Sequence, residues 1–89
     1  MPRKEKVTEV IDGDTFMTDS RKYPVRLANI DAPEKGQPGY SKAKKALKDL
    51  IRGKEVTINT KARDKYNRSV ANVKIGNKSV NKIMKNFEK

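Results

Sequence analysis

The sequence predicts a mainly β domain with two helices. Three observations carry that expectation. Apolar residues alternate over short runs, turn-forming residues separate those runs, and only two segments switch to helical spacing. The chain has 89 residues, 34% of them hydrophobic, which is material for one small core and one domain over residues 1–89.

Val7–Ile11 reads as the first strand, and Asp12-Gly13 as a two-residue hairpin turn into a second strand, Asp14–Thr18. After the polar turn Asp19-Ser20-Arg21-Lys22, a third run extends from Tyr23 to Ile30. Val25, Leu27 and Asn29 share one face of it, and Arg26, Ala28 and Ile30 the other. Asp31-Ala32-Pro33-Glu34 breaks the strand, and a Gly/Pro loop runs from Lys35 to Gly39.

Ala43, Ala46, Leu47, Leu50 and Ile51 then follow the stripe of an amphipathic helix, with Ser41 as N-cap and Gly53 just past its end. Val56 and Ile58 mark a fourth strand. Val70, Val73 and Ile75 mark a fifth, whose alternation is imperfect. Asn77 or Ser79 can cap a last helix with Val80, Ile83, Met84 and Phe87 as its buried stripe. Three strands, a helix, two strands and a helix is the order of an OB-fold, a five-stranded Greek-key barrel.

The composition excludes whole classes of chemistry. With no Cys and no His, disulfides, thiolate zinc sites, cysteine nucleophiles, Ser-His-Asp triads and histidine-based nucleases are all impossible. No apolar run approaches the roughly 18 residues of a membrane span. Met1-Pro2-Arg3-Lys4-Glu5-Lys6 lacks the apolar stretch of a signal peptide. Lys and Arg number 22 against 11 Asp and Glu, a net charge of +11. That excess suggests a polyanionic partner, nucleic acid before an anionic membrane.

Asp14 beside the hairpin turn and Asp31 at the exit of the third strand reach one surface if the second and third strands pair, with Glu34 and Arg26 close by. Two carboxylates and a loop carbonyl suit a hard cation such as Ca²⁺ and suit zinc poorly. Taken singly, Asp12-Gly13-Asp14 reads as a turn and Asp31 as a loop cap. Lys42, Lys44, Lys45 and Lys48 read as a solvated helix face. Three Tyr, two Phe and no Trp do not amount to the multi-aromatic platform of generic single-strand binders.

Taken together, Ile11-Asp12-Gly13-Asp14-Thr15-Phe16, Val25 to Glu34, and Asp64-Lys65-Tyr66-Asn67-Arg68 resemble, in order and spacing, the staphylococcal nuclease (thermonuclease) family. Gly76-Asn77-Lys78-Ser79-Val80-Asn81 is similar to that family's turn into its next helix. The resemblance runs from Val7 to Phe87. It implies an OB-fold, calcium-dependent nuclease that cleaves single-stranded or frayed DNA, and RNA, at the 5′ P–O bond, leaving 3′-phosphate and 5′-hydroxyl ends.

Carried over residue by residue, it implies that Asp14, Asp31 and the Ala32 carbonyl hold calcium and that Glu34 handles the attacking water. Arg26 and Arg68 would bind the scissile phosphate, and Lys65 and Tyr66 other parts of the substrate. Asn67 stands where the family usually has Gly, a substitution that suits a left-handed residue. Longer members continue into further helix and tyrosines that line a base pocket. A chain ending at Lys89 is therefore expected to bind mainly through phosphates; separately, a monomer is expected. Export would suit such a nuclease, since calcium is plentiful outside cells. A non-catalytic OB nucleic-acid-binding module is the alternative; a basic ribosome-associated protein explains the charge but not the acidic cluster.

Overall fold

Alternating and charged residues together make the first strand longer than its apolar pattern. The computed structural model describes residues 3–88; Met1, Pro2 and Lys89, which entered the reading of the termini, lie outside the described residues. β1 spans Arg3–Asp12. Its first part pairs antiparallel with β4 (Glu55–Arg63), Glu5 opposite Val56, and its second part with β2 (Thr15–Thr18), Val10 opposite Phe16. Lys4, Glu5 and Lys6 hide the strand from a search for apolar alternation, although Glu5 is buried.

β2 pairs with β3 (Val25–Leu27), β3 runs parallel to β5 (Ser69–Ile75), and β5 returns antiparallel to β4. The pairings β1–β2–β3–β5–β4–β1 close a ring of five strands, the OB architecture, and a two-residue β6 (Lys78–Ser79) adds to β5. Phe16, Leu27, Leu47, Ile51, Ile58 and Met84 fill the interior with negligible exposure. α1 (Tyr40–Ile51) lays Ala43, Leu47 and Ile51 on it; α2 (Val80–Met84) contributes Val80 and Met84, with Ile83 and Phe87 half-buried.

Four local expectations are corrected. The hairpin turn is Gly13-Asp14, because Asp12 already pairs with Thr15. β3 stops at Leu27, not Ile30, because Asn29 adopts the left-handed conformation with φ 61°. The chain then folds over the core, so Ala28 and Ile30 are both buried and Asn29 is exposed. Gly39, not Ser41, precedes the first turn of α1, where its carbonyl accepts from the Ala43 N–H at 2.9 Å. The apparent irregularity in β5 resolves into clean alternation of Ser69, Ala71 and Val73 inward, with Val70 on the other face opposite Arg26.

Two side chains act as polar fasteners. Ser79 caps α2, its hydroxyl accepting from the Lys82 N–H at 3.2 Å. Asn81 donates Nδ2 to the carbonyls of Ala28 (3.0 Å) and Ala71 (3.1 Å) and accepts from the Val73 N–H (2.8 Å). One amide thus ties α2 to β5 and to the chain just beyond β3.

Candidate active site

The turn between β1 and β2 brings the first carboxylate into place through a requirement for space. Gly13 carries no positive φ, yet a Cβ there would lie 2.8 Å from the Ala43 Cβ and 3.2 Å from the Ala32 Cβ. The missing side chain lets the turn sit against both α1 and the Asp31–Ala32 segment. Asp14 follows at once. Its Oδ1 accepts from the Thr15 hydroxyl at 2.9 Å, and its Oδ2 lies 3.5 Å from Arg26 Nη2. Arg26 also donates to the Ile30 carbonyl at 3.1 Å, so the guanidinium spans from β2's start to the chain leaving β3.

The segment after Ile30 is fixed by its backbone. The Asp31 N–H donates to Glu88 Oε2 at 2.9 Å, Ala32 is buried, and Glu34 and Gln37 exchange two hydrogen bonds, at 2.8 and 2.9 Å. The Glu34 side chain itself is exposed. On the opposite wall, the β4–β5 hairpin is organised by Asp64. Oδ1 accepts from the N–H groups of Tyr66 (2.9 Å) and Arg68 (3.0 Å), and Oδ2 from Arg68 Nε (2.6 Å). Asn67 closes this turn with φ 65°, the left-handed geometry expected of it. Partial desolvation pushes the Asp64 carboxyl up, but the Arg68 and Tyr66 N–H groups and the Arg68 charge outweigh it and hold it below the usual range.

Tyr66 is 63% exposed, with Lys65 Nζ 5.2 Å and the Arg68 guanidinium 5.3 Å from its ring centre. The hairpin tip therefore presents two cations against one aromatic ring.

These separate segments meet in one cleft of about 300 Å³. Its lining contains every residue singled out from the sequence: Asp14, Arg26, Asp31, Ala32, Glu34, Lys65, Tyr66 and Arg68. It also contains Asp12, Pro33 and Asp64, which the sequence reading placed in turns and motifs but gave no part in the site. Asp12 accepts from the Tyr40 hydroxyl at 3.0 Å; burial raises that phenol's pKa, and the Asp12 bond and charge raise it further, so it stays a donor. A signal for Asp64 was present in its spacing, since Asp four residues before Arg in a turn can bond both backbone and guanidinium.

The carboxylates do not form a bare acidic crowd. Asp14 and Asp64 are paired with Arg26 and Arg68, and among the described residues no group of three acidic side chains converges closely enough to hold a metal ion. A cation bound between Asp14, Asp31 and the Ala32 carbonyl would meet two carboxylates and a backbone carbonyl, with water for the rest. All are oxygen donors, which fits a hard cation.

Residues 24–86 match the family described as staphylococcal nuclease homologue. The chain belongs to that family. The matched span holds both arginines of the cleft, Asp31, Ala32 and Glu34, and the hairpin Lys65 and Tyr66; Asp14 lies before it. A Haemophilus influenzae protein named an uncharacterized endonuclease is 42% identical over 79 residues, 85% of this chain and 44% of that protein. A Shigella flexneri protein named micrococcal nuclease is 40% identical over 67 residues, 73% of this chain and 38% of that protein. The chain thus spans less than half the length of these relatives. Among the described residues, no helix is long and apolar enough to cross a membrane.

Proposed function

We propose that this domain is a calcium-dependent nuclease acting on single-stranded or frayed DNA and on RNA, cutting the 5′ P–O bond. Family membership and the names of its relatives support nucleic-acid hydrolysis. The observation that carries the finer reading is the convergence of Arg26, Glu34 and Arg68 on one cleft with Asp14, Asp31 and Ala32.

In this reading Arg26 and Arg68 bind the scissile phosphate, where two guanidiniums neutralise the charge that builds on phosphoryl oxygens during attack. Asp64 holds Arg68 at 2.6 Å through Nε, leaving its terminal nitrogens to the substrate. The looser 3.5 Å pair of Arg26 with Asp14 leaves that guanidinium exchangeable between carboxylate and phosphate. Glu34 takes a proton from the attacking water, a role that no histidine is present to fill. A bond forms from the water oxygen to phosphorus, the bond to the 5′ oxygen breaks, and that oxygen takes up a proton. Asp14, Asp31 and the Ala32 carbonyl would hold calcium, which would supply Lewis-acid polarisation of the phosphoryl group.

The test is cleavage of denatured DNA and of RNA oligonucleotides in calcium, in magnesium and in EGTA, with the product ends identified. Calcium should support turnover and magnesium much less, because a site of loop donors matches calcium's looser geometry. Undiminished cleavage in EGTA would remove the metal from the mechanism. Tight binding with no cleavage under any condition would instead favour a non-catalytic OB module.

A further inference from the structure

The cleft just described is poorly charged for gripping a polyanion. Five of its lining residues are acidic and three basic, while the chain as a whole carries +11. Further contacts to a nucleic-acid strand are therefore to be sought outside the cleft, where the depressions differ in charge. Two shallow depressions along α1 contain lysines, but each also contains Asp49.

A third depression differs. Ser20, Arg21, Lys22, Tyr23, Arg63 and Ser69 line about 250 Å³ with no carboxylate among them. Arg21 is held rigidly, its Nε shared by both Glu5 oxygens at 2.8 and 2.9 Å and its Nη1 donating to Ser69 Oγ at 2.8 Å. Arg63 is steadied by the Asn67 carbonyl at 3.2 Å. Tyr23 is 41% exposed, with Lys22 Nζ 5.7 Å from its ring centre. Tyr23 and Tyr66 are the two large hydrophobic side chains exposed among the described residues. Each therefore carries a lysine over its ring, and each sits in one of these two depressions.

The β4–β5 hairpin forms the wall between them. Arg63 and Ser69 are paired across its stem and line the basic depression; their chain neighbours Asp64 and Arg68 line the catalytic cleft. Consecutive residues are only about 3.8 Å apart, so one extended strand crossing the hairpin can touch both.

We propose that the Lys22–Tyr23–Arg63 depression is a second subsite for the backbone of the same single-stranded nucleic acid. Lys22 and Arg63 contact a phosphate away from the scissile one, and Tyr23 offers its ring face to a base. The subsite rests on the nuclease reading for its role in turnover, but not for binding.

The test compares the full chain with Lys22→Ala/Arg63→Ala, with Tyr23→Ala and with the milder Lys22→Gln/Arg63→Gln, all checked for an intact melting transition. Binding of a labelled strand of about 16 nucleotides, the upper end of an OB-fold site, is measured in EGTA against salt. The double variants should flatten the log–log slope by about 0.7, the value for one lost phosphate contact. Tyr23→Ala should weaken binding about fivefold, at the lower end of base-stacking effects. In cleavage, the double variants should raise KM for the long strand far more than they change kcat, and leave KM for a dinucleotide unchanged. An unchanged salt slope in a folded double variant overturns the proposal. So does equal loss on the dinucleotide and the long strand. Absence of cleavage in every protein would overturn the nuclease reading alone, since the binding arm still decides the subsite.

Discussion

The two ends of β2 carry the same chemistry in two states of completion. At one end Glu5 is buried and accepts from the Thr18 hydroxyl (2.7 Å), the Ser20 hydroxyl (2.9 Å) and Arg21 Nε. At the other, Asp14 accepts from the Thr15 hydroxyl and meets Arg26 at 3.5 Å, with the arginine side chain 27% exposed. Both are an arginine, a carboxylate and a threonine. The Glu5 carboxylate is buried and its hydrogen-bond set is saturated, so this pair fastens β1, β2 and β5 together. The Asp14 pair is long and open, so each partner can be taken up by something else. Completion of the hydrogen-bond set separates the structural ion pair from the one to which the proposed mechanism gives a part in catalysis.

The largest effect should come from removing arginines on the open side. Arg26→Ala and Arg68→Ala should each lower kcat on the order of 10²-fold or more, the loss expected for a preorganised donor, with melting temperature little changed for Arg26. Glu34→Gln should likewise reduce turnover more than binding. Near-normal rates in both arginine variants would dissolve the distinction between the two pairs.

On the closed side the damage should fall on stability. Glu5→Ala strands Arg21 and should cost on the order of 3 kcal/mol, as removal of one partner of a buried pair does, measured by urea unfolding. Burial pushes the Glu5 carboxyl up, but the hydrogen bonds from Arg21, Thr18 and Ser20 and the guanidinium charge outweigh it and hold it below the usual range. A depressed folded-state value means that the stabilisation is complete above the ordinary glutamate range. It is then lost as pH falls through the depressed value. Wild type should therefore lose stability in acid more steeply than Glu5→Ala. Parallel pH curves would show that the pair contributes nothing through ionisation.

Gly13→Ala tests how tightly the reactive side is seated. Its Cβ would meet the Ala43 Cβ at 2.8 Å, and backbone must shift, at about 1–3 kcal/mol. Because Ala32 stands 3.2 Å away, calcium-dependent cleavage should fall with stability. A neutral outcome in both would mean that the turn has slack.

These contrasts explain what could be read from the sequence. Alternation gave the strands with a buried apolar face, and the three motifs gave all eight predicted lining residues of the cleft. Glu5 and Asn81 were invisible for the same reason. Each is a polar residue whose value lies in partners 8 to 53 positions away, and local pattern carries no such distance. The end of β3 was misjudged because Ala28 and Ile30 continue an apolar run while Asn29 turns the backbone.

The smallest effect should come at the other left-handed asparagine. Asn67 holds φ 65° between the Asp64 turn and Arg68, and its own N–H donates to the Asp64 carbonyl at 3.1 Å. Glycine adopts this conformation freely, whereas a Cβ-bearing residue without a polar side chain costs about 1–2 kcal/mol there. Asn67→Gly should thus leave stability within about 0.5 kcal/mol, gaining backbone ease and losing it again to the greater entropy of the unfolded chain. Asn67→Ala should cost about 1 kcal/mol. Because that turn aims Arg68 into the cleft, strain released by a shift in the hairpin should appear in kcat before it appears in the melting temperature. The open pair is then more sensitive to its backbone than the closed one. Equal melting temperatures and equal kcat for the alanine and glycine variants would show that the left-handed turn is not what positions Arg68.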